Sequence, residues 1–219
     1  MGWANKLVGW TNNTGAEVNG DGSLYTVDVS PTGSNYVVAS KTGVIAAAAA
    51  AGATVFAMRF DPAAGTKAVW IDSIRLRWTT IVAFTVPITQ TRSLVLTRGT
   101  GAATSGGTSI PVATKKDSNY VSSEFDLALG GDIRIASTGA LTVTGITFET
   151  TNIAEIPLTL VGAAGAFYEN VYEFNVRNHP IELHSGELIA LRVGASAMDA
   201  AGTWSLGVEV SWRESISEA

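Results

Sequence analysis

The side chains best suited to chemistry lie within one short segment, residues 179–184. This segment contains both histidines of the chain, His179 and His184, and Glu182 lies between them. Imidazole and carboxylate groups are common zinc ligands. Alternate residues of an extended strand share a face, however, so Glu182 and His184 would point one way and His179 the other. The spacing therefore disfavours a metal site, and we predict none.

The sequence lacks the arrangements that support nucleophilic or phosphate chemistry. It contains no cysteine, so thiolate catalysis, thiolate metal sites and disulfides are excluded. No Gly-x-Ser-x-Gly elbow occurs, and Ser185, beside His184, shows no third partner of a catalytic triad. The glycine-rich segment Arg98–Thr108 lacks the Gly-Lys-Ser/Thr ending of a phosphate-binding loop. We predict a flexible loop there.

Paired carboxylates are the remaining catalytic possibility, because glycosidases place two of them on either side of a sugar. Glutamates are frequent in the middle of the chain, but no spacing pairs any two of them: Glu149, Glu155, Glu169, Glu173 and Glu182. Solvation of the surface explains each of these side chains. We therefore predict a non-enzymatic protein without a cofactor.

The composition indicates which partners the chain could have. Charged residues make up 15% of the chain, against about 25% in an average soluble domain. A charge-poor surface indicates contact with other proteins, although Gly, Ala, Ser and Thr in the loops could also account for it. The net charge of −5 argues against nucleic-acid binding. The most apolar stretch, Val44–Met58, is too short for a membrane helix of about 20 residues, so we expect a soluble protein.

The elements that must position any site are strands. Residues 203–212 show the clearest pattern, because large apolar side chains alternate with small or polar ones. Residues 69–80 alternate in the same way, but Val69 and Ile71 have the opposite parity to Ile74, which predicts a bulge near Asp72. The six alanines that follow Ile45 leave helix and strand as equal alternatives.

About ten such strands, separated by turns, predict an all-β fold, either a sandwich or a barrel. Residues 180–191 read as a strand, a tight Ser185-Gly186 turn and another strand, a hairpin pattern that favours a jelly roll. We therefore predict a jelly-roll-like antiparallel β-sandwich over residues 43–219. The segment from Lys115 to Asp126, together with the glycine-rich loop, is the most polar part of this body.

Residues 1–42 are predicted to form an extended N-terminal arm, because they are rich in Gly, Asn, Ser and Thr and show no helical period. Isolated aromatic residues in such an arm are candidate anchors on a neighbouring subunit: Trp3, Trp10, Tyr25 and Tyr36. The alternative is that these aromatic residues cover their own domain. An arm of this kind, together with low charge, suggests a homotrimer.

The remaining tryptophans lie in predicted strands, where packing in the core is the usual role: Trp70, Trp78, Trp204 and Trp212. A carbohydrate-binding surface would need exposed aromatic side chains. The alternation places Trp204 and Trp212 on the apolar face, which argues against a lectin.

Several strings of the body resemble small virion proteins of tailed bacteriophages: residues 56–59, 71–80, 98–108, 131–136 and 197–204. The resemblance covers residues 44–212 and implies a component of the phage particle. A β-rich protein of this size with a loose arm is similar to capsid decoration (cement) proteins, which are commonly trimers bound to the major capsid protein on the outer shell. The alternative is a tail or baseplate receptor-binding protein that recognises host carbohydrate or protein.

Overall fold

The computed structural model describes residues 7–8, 15–18, 24–26, 36–46, 48–62, 68–84, 91–118, 121–159, 165, 167–173 and 180–215. The chain divides into two compact units, residues 1–33 and residues 34–219. In the first unit, three short strands form an antiparallel sheet in chain order: β1 (Leu7–Val8), β2 (Gly15–Val18) and β3 (Leu24–Thr26).

In its described residues, the second unit contains strands and one short 3-10 turn. The strands of its first half are β4 (Tyr36–Lys41), β5 (Thr54–Phe60), β6 (Ala68–Val82), β7 (Thr91–Gly101), β8 (Thr108–Ser109) and β9 (Thr114–Lys115). After the 3-10 turn (Leu127–Leu129), the strands are β10 (Asp132–Ile135), β11 (Ile146–Phe148), β12 (Ala154–Thr159), β13 (Phe167–Glu173), β14 (Ile181–Leu183), β15 (Glu187–Val193) and β16 (Thr203–Ser215).

These strands form two antiparallel sheets. The six-stranded sheet has the order β13–β6–β16–β4–β9, and β14 pairs with the same strand, β6, as β13 does. The seven-stranded sheet has the order β11–β7–β15–β5–β10–β8, and β12 also pairs with β7. One cluster of buried side chains contains residues of both sheets. The predicted all-β antiparallel sandwich is therefore confirmed.

The core owes much of its apolar surface to the alternating pattern of β16. Trp204 and Trp212 at its two ends are fully buried, as are the apolar residues at every second position between them. The ring of Trp204 stacks on that of Trp78, with ring centroids 4.2 Å apart and an angle of 15° between the planes. The predicted core positions of these three tryptophans are confirmed. Trp70 is only partly buried and faces away from the core.

The predicted bulge in β6 is also confirmed. Ser211 pairs with Ser73, but the next residue of β16, Trp212, pairs with Ile71, so Asp72 is the extra residue of the bulge. The carboxylate of Asp72 accepts a hydrogen bond from Nε of Arg213, at 3.0 Å. Before the bulge the odd-numbered residues of β6 face the core, and after it the even-numbered residues do. Ile71 is therefore buried despite the change of register.

A long insertion between β7 and β12 closes one edge of the sandwich. Within it, β9 pairs with the edge strand β4, and β10 pairs with β5. A later part of the insertion covers the outer face of the seven-stranded sheet, where Leu141 is buried with Ala57, Leu188 and Ala190. The insertion therefore protects strand edges that would otherwise expose unpaired backbone groups.

Two local predictions differ from the structure. The alanine segment is neither helix nor strand in the described residues, because its backbone bonds to distant loops: Ala46 N donates to Thr138 O, and Ala48 N donates to Asp199 O. Ala48 has a positive φ of 61°, which a regular helix or strand does not allow. The expected glycine-rich loop starts later than predicted, because β7 continues through Gly101.

The predicted hairpin at residues 180–191 is partly wrong. The turn at Ser185-Gly186 is present, and Gly186 has the positive φ of 82° that suits a glycine there. The two strands that flank it belong to different sheets, however, because β14 pairs with β6 and β15 pairs with β5 and β7. The turn thus carries the chain from one sheet to the other.

The boundary between the arm and the body lies earlier than the predicted residue 42. Strand β4 (Tyr36–Lys41) pairs with β16 along its whole length and is part of the six-stranded sheet. Tyr36 and Val38 are each 3% exposed. The segment that can be separated from the body therefore ends at residue 33.

This boundary predicts different results for two truncations. Deletion of residues 1–33 should leave the melting temperature of the body nearly unchanged, because no strand of the sandwich is lost. Deletion of residues 1–42 should lower it by roughly 10 °C or more, because it removes β4 and two core side chains. Differential scanning calorimetry of both truncations checks this, and equal melting temperatures would contradict the boundary.

Candidate interaction surface

The predicted interface residues divide into those that the structure describes and those that it does not. Trp3 and Trp10 lie outside the described residues. Tyr25 lies in β3, for which the backbone alone is described. Tyr36 is buried and stacks on Trp212, with ring centroids 5.9 Å apart. The prediction that Tyr36 anchors an arm on a neighbouring subunit is therefore wrong, because its ring covers its own domain.

Where the structure describes them, the candidate metal ligands lie on the faces that the strand spacing predicts. Glu182 and His184 lie on one face, with 3.7 Å between Oε1 and Nε2, and both side chains are largely exposed. His179 lies outside the described residues. Among the described residues, no group of three or more His, Cys, Asp and Glu side chains is placed to hold a metal ion.

The insertion brings a different set of residues together around Phe125, which is fully buried. The ring of Phe125 meets Trp212 edge-on, with centroids 5.2 Å apart. It also lies against Phe60, with centroids 5.6 Å apart. Since Trp212 belongs to the six-stranded sheet and Phe60 to the seven-stranded sheet, Phe125 fills the gap between the sheets at the edge that the insertion closes.

A half-buried carboxylate holds the chain on the N-terminal side of Phe125. Glu214 accepts hydrogen bonds from the hydroxyl of Ser123 and from the backbone N–H of Glu124, the latter at 3.0 Å. It also accepts one from Nε1 of Trp212, at 2.8 Å. Burial raises the pKa of Glu214, although these hydrogen bonds oppose the shift. Two of these three donors belong to the insertion, so the carboxylate fixes this part of the insertion to β16.

Further hydrogen bonds connect the two arms of the insertion. Oδ1 of Asp126 accepts a bond from the backbone N–H of Ala113, at 2.7 Å, and the N–H of Leu127 donates to the carbonyl of Pro111, at 3.0 Å. The hydroxyl of Tyr36 donates to the carbonyl of Val121, at 3.2 Å. In the described residues 111–118 and 121–127, the backbone is thus held by bonds within the insertion and by one from Tyr36 of the body.

A second carboxylate, which is buried, stabilises the glycine-rich loop. Asp132 accepts a hydrogen bond from the hydroxyl of Thr104, at 3.2 Å, and one from Nε of Arg134, at 2.9 Å. Burial raises the pKa of Asp132, and the positive charge of Arg134 opposes this. Nη1 of Arg134 also donates to the carbonyl of Gly106. The loop is therefore tied to β10.

The anchored segment exposes three large apolar side chains, which we name the insertion surface: Val112, Val121 and Leu127. They are 64%, 75% and 48% exposed, respectively. Exposed apolar side chains that lie close together mark candidate protein contact sites. The bond from the N–H of Leu127 to the carbonyl of Pro111 brings the backbone at Val112 near Leu127. The sequence pattern did not reveal this surface, since Val121 lies within the most polar part of the body and Val112 and Leu127 lie singly just outside it.

Comparison with protein-family models and with curated proteins finds no match to this chain. In the described part of the chain, no helix is long and apolar enough to span a membrane.

The close packing of the insertion predicts that Gly131 cannot be replaced. A Cβ atom at this position would lie 2.3 Å from Cα of Phe125, so Gly131→Ala must displace backbone. We expect a loss of about 2 kcal/mol or more in the free energy of unfolding. Gly139→Ala is the matched control, because nothing lies within 4 Å of its Cβ position. Urea unfolding of both variants checks this, and equal midpoints would contradict it.

The half-buried carboxylate of Glu214 in β16 predicts a specific pH dependence. The folded state raises the pKa of Glu214 above its ordinary value of 4.5, so it holds this proton more tightly than the unfolded chain does. The resulting stabilisation is complete below pH 4.5 and is lost as the pH rises through the folded-state pKa. The wild type should therefore lose stability relative to Glu214→Gln between acidic and neutral pH. Urea unfolding across this range checks it, and a constant difference would contradict it.

Proposed function

We propose that this chain is a non-enzymatic structural protein of a bacteriophage virion that binds and stabilises the assembled head. The insertion surface is the observation that carries the proposal, because it offers rigid apolar contacts to another protein chain. The resemblance of residues 44–212 to small virion proteins supplies the setting. The major capsid protein is the partner that this proposal names.

The order of the strands supports a jelly roll. Without the insertion strands, the sheets run β4–β16–β6–β13 and β5–β15–β7–β12, and β14 lies beside β13 along the same edge of β6. When β13 and β14 count as one interrupted strand, successive strands change sheet, except between β7 and β12, which are neighbours in one sheet. This is the order produced by folding one long antiparallel ribbon twice, as in the two Greek keys of a jelly roll. In such a sandwich a long insertion between β7 and β12 leaves the core strands undisturbed.

The insertion surface is suited to binding, because its backbone is already ordered before a partner arrives. The bonds of Glu214 and Asp126, together with the buried ring of Phe125, supply that order. Preorganised contacts lose little conformational entropy on binding. Three apolar side chains form only a small contact, so one site alone would be weak.

Several weak sites on one oligomer together give a stable attachment. A homotrimer would present three insertion surfaces, and once one is bound the others face a high effective concentration of capsid subunits. A protein that binds the assembled shell and not its separate subunits adds its binding free energy to the stability of the shell. An arm formed by residues 1–33 that lies on a neighbouring subunit would add further contacts.

The proposal predicts that the insertion surface is required for particle binding. The triple variant Val112→Ser, Val121→Ser, Leu127→Ser should bind particles that lack the protein at least tenfold more weakly than the wild type. Cosedimentation measures this binding. The matched control is Val82→Ser, because Val82 is also exposed (54%) but lies at the end of β6. A variant that binds as tightly as the control would contradict the assignment of the surface.

The role in stabilisation has a separate readout. Particles that lack the protein should release DNA at a lower temperature than complete particles, and added wild-type protein should restore the difference. If particles without the protein withstand heat equally well but fail to adsorb to cells, the decoration function is wrong, and receptor binding takes its place.

A further inference from the structure

Among the tryptophans of the described strands, only Trp70 has a side chain that faces out of the core. Its neighbours in β6, Val69 and Ile71, are completely buried, and Trp70 lies between them on the outer face of the six-stranded sheet. Its direct cross-strand partners are Glu182 in β14 and Arg213 in β16. The three side chains therefore form one row across the outer face.

Each end of this row carries a polar pair. On the β14 side, Oε1 of Glu182 lies 3.7 Å from Nε2 of His184. On the β16 side, Nε of Arg213 donates to Oδ1 of Asp72, at 3.0 Å, and the bulge at Asp72 brings that carboxylate to this face. The indole thus lies between two groups of donors and acceptors. We name these five residues the Trp70 row.

We propose that the Trp70 row binds a neutral hexose oligosaccharide. One face of a pyranose ring presents C–H groups that pack on an aromatic ring, while the hydroxyls around its rim both donate and accept hydrogen bonds. An indole flanked by carboxylates, a guanidinium and an imidazole matches both requirements. A flat sheet face also suits an extended sugar chain, which needs no deep cavity.

The charges of the row favour a neutral sugar over an acidic one. Asp72 and Glu182 contribute two carboxylates, and Arg213 contributes one guanidinium that Asp72 already neutralises. The row therefore has one more carboxylate than it has guanidinium groups. Uronic and sialic acids would be repelled, whereas the hydroxyls of a neutral hexose can donate to these carboxylates.

The test uses the full-length chain labelled with 15N and the neutral probes cellotetraose, a galactose tetrasaccharide and N-acetylglucosamine tetrasaccharide. The chain has six tryptophans, and the indole N–H signal that disappears in Trp70→Phe identifies Trp70. We expect at least one probe to shift that signal in a saturable titration, with a dissociation constant of about 1 mM, the weak end of the affinity scale. Sialyllactose should cause no shift.

Variants then test the assignment. Trp70→Ala and Glu182→Gln should each weaken binding at least fivefold, whereas Thr79→Ala, at a different position of the same strand, should leave it unchanged. Glu182 is largely exposed, so Glu182→Gln stays informative even if Trp70→Ala fails to fold. The absence of a shift with every neutral probe, or binding that survives both variants, would overturn the proposal. Neither result bears on the insertion surface, because the two sets of residues share no member.

Discussion

The contact of Phe125 with both sheets is the interaction on which the rest of the body depends. Two sheets of a sandwich must be closed at their edges, and here the closure is made by one ring that touches Trp212 of one sheet and Phe60 of the other. The insertion that carries this ring also adds β9 to β4 and β10 to β5. The same segment therefore completes the core and covers the strand edges beside it.

Carboxylates removed from solvent, fully at Asp132 and partly at Glu214, are the less favourable part of this arrangement. Burial raises the pKa values of both groups, which means that at neutral pH each charged form is held at a cost in stability. Apolar residues would fill the same space without that cost, but they could not accept hydrogen bonds. Glu214 accepts one from the backbone N–H of Glu124, and Asp132 accepts one from the hydroxyl of Thr104, so each carboxylate holds a segment without regular structure.

Sequence reasoning succeeded where the signal is local and failed where distant segments decide the structure. The alternation of β16 and the change of parity at Asp72 are visible in consecutive residues, and the structure confirms both. The alanine segment carries no such signal, because its conformation depends on bonds to Thr138 and Asp199. The turn at Gly186 was predicted, but the same local pattern fits a hairpin or a crossing between sheets.

The two candidate surfaces were not predicted from the sequence. Trp70 is expected in the core because packing there is the usual role of a strand tryptophan, although the predicted bulge already places it opposite Val69 and Ile71. Its pairing with Glu182 and Arg213 becomes visible only in the structure. The residues of the insertion surface are far apart in sequence and have polar neighbours. The backbone at Val112 lies near Leu127 only because the N–H of Leu127 bonds to the carbonyl of Pro111. A sandwich can carry both surfaces at once, because its core needs only one face of each sheet. The outer faces and the long connections can therefore acquire contacts without disturbing the core.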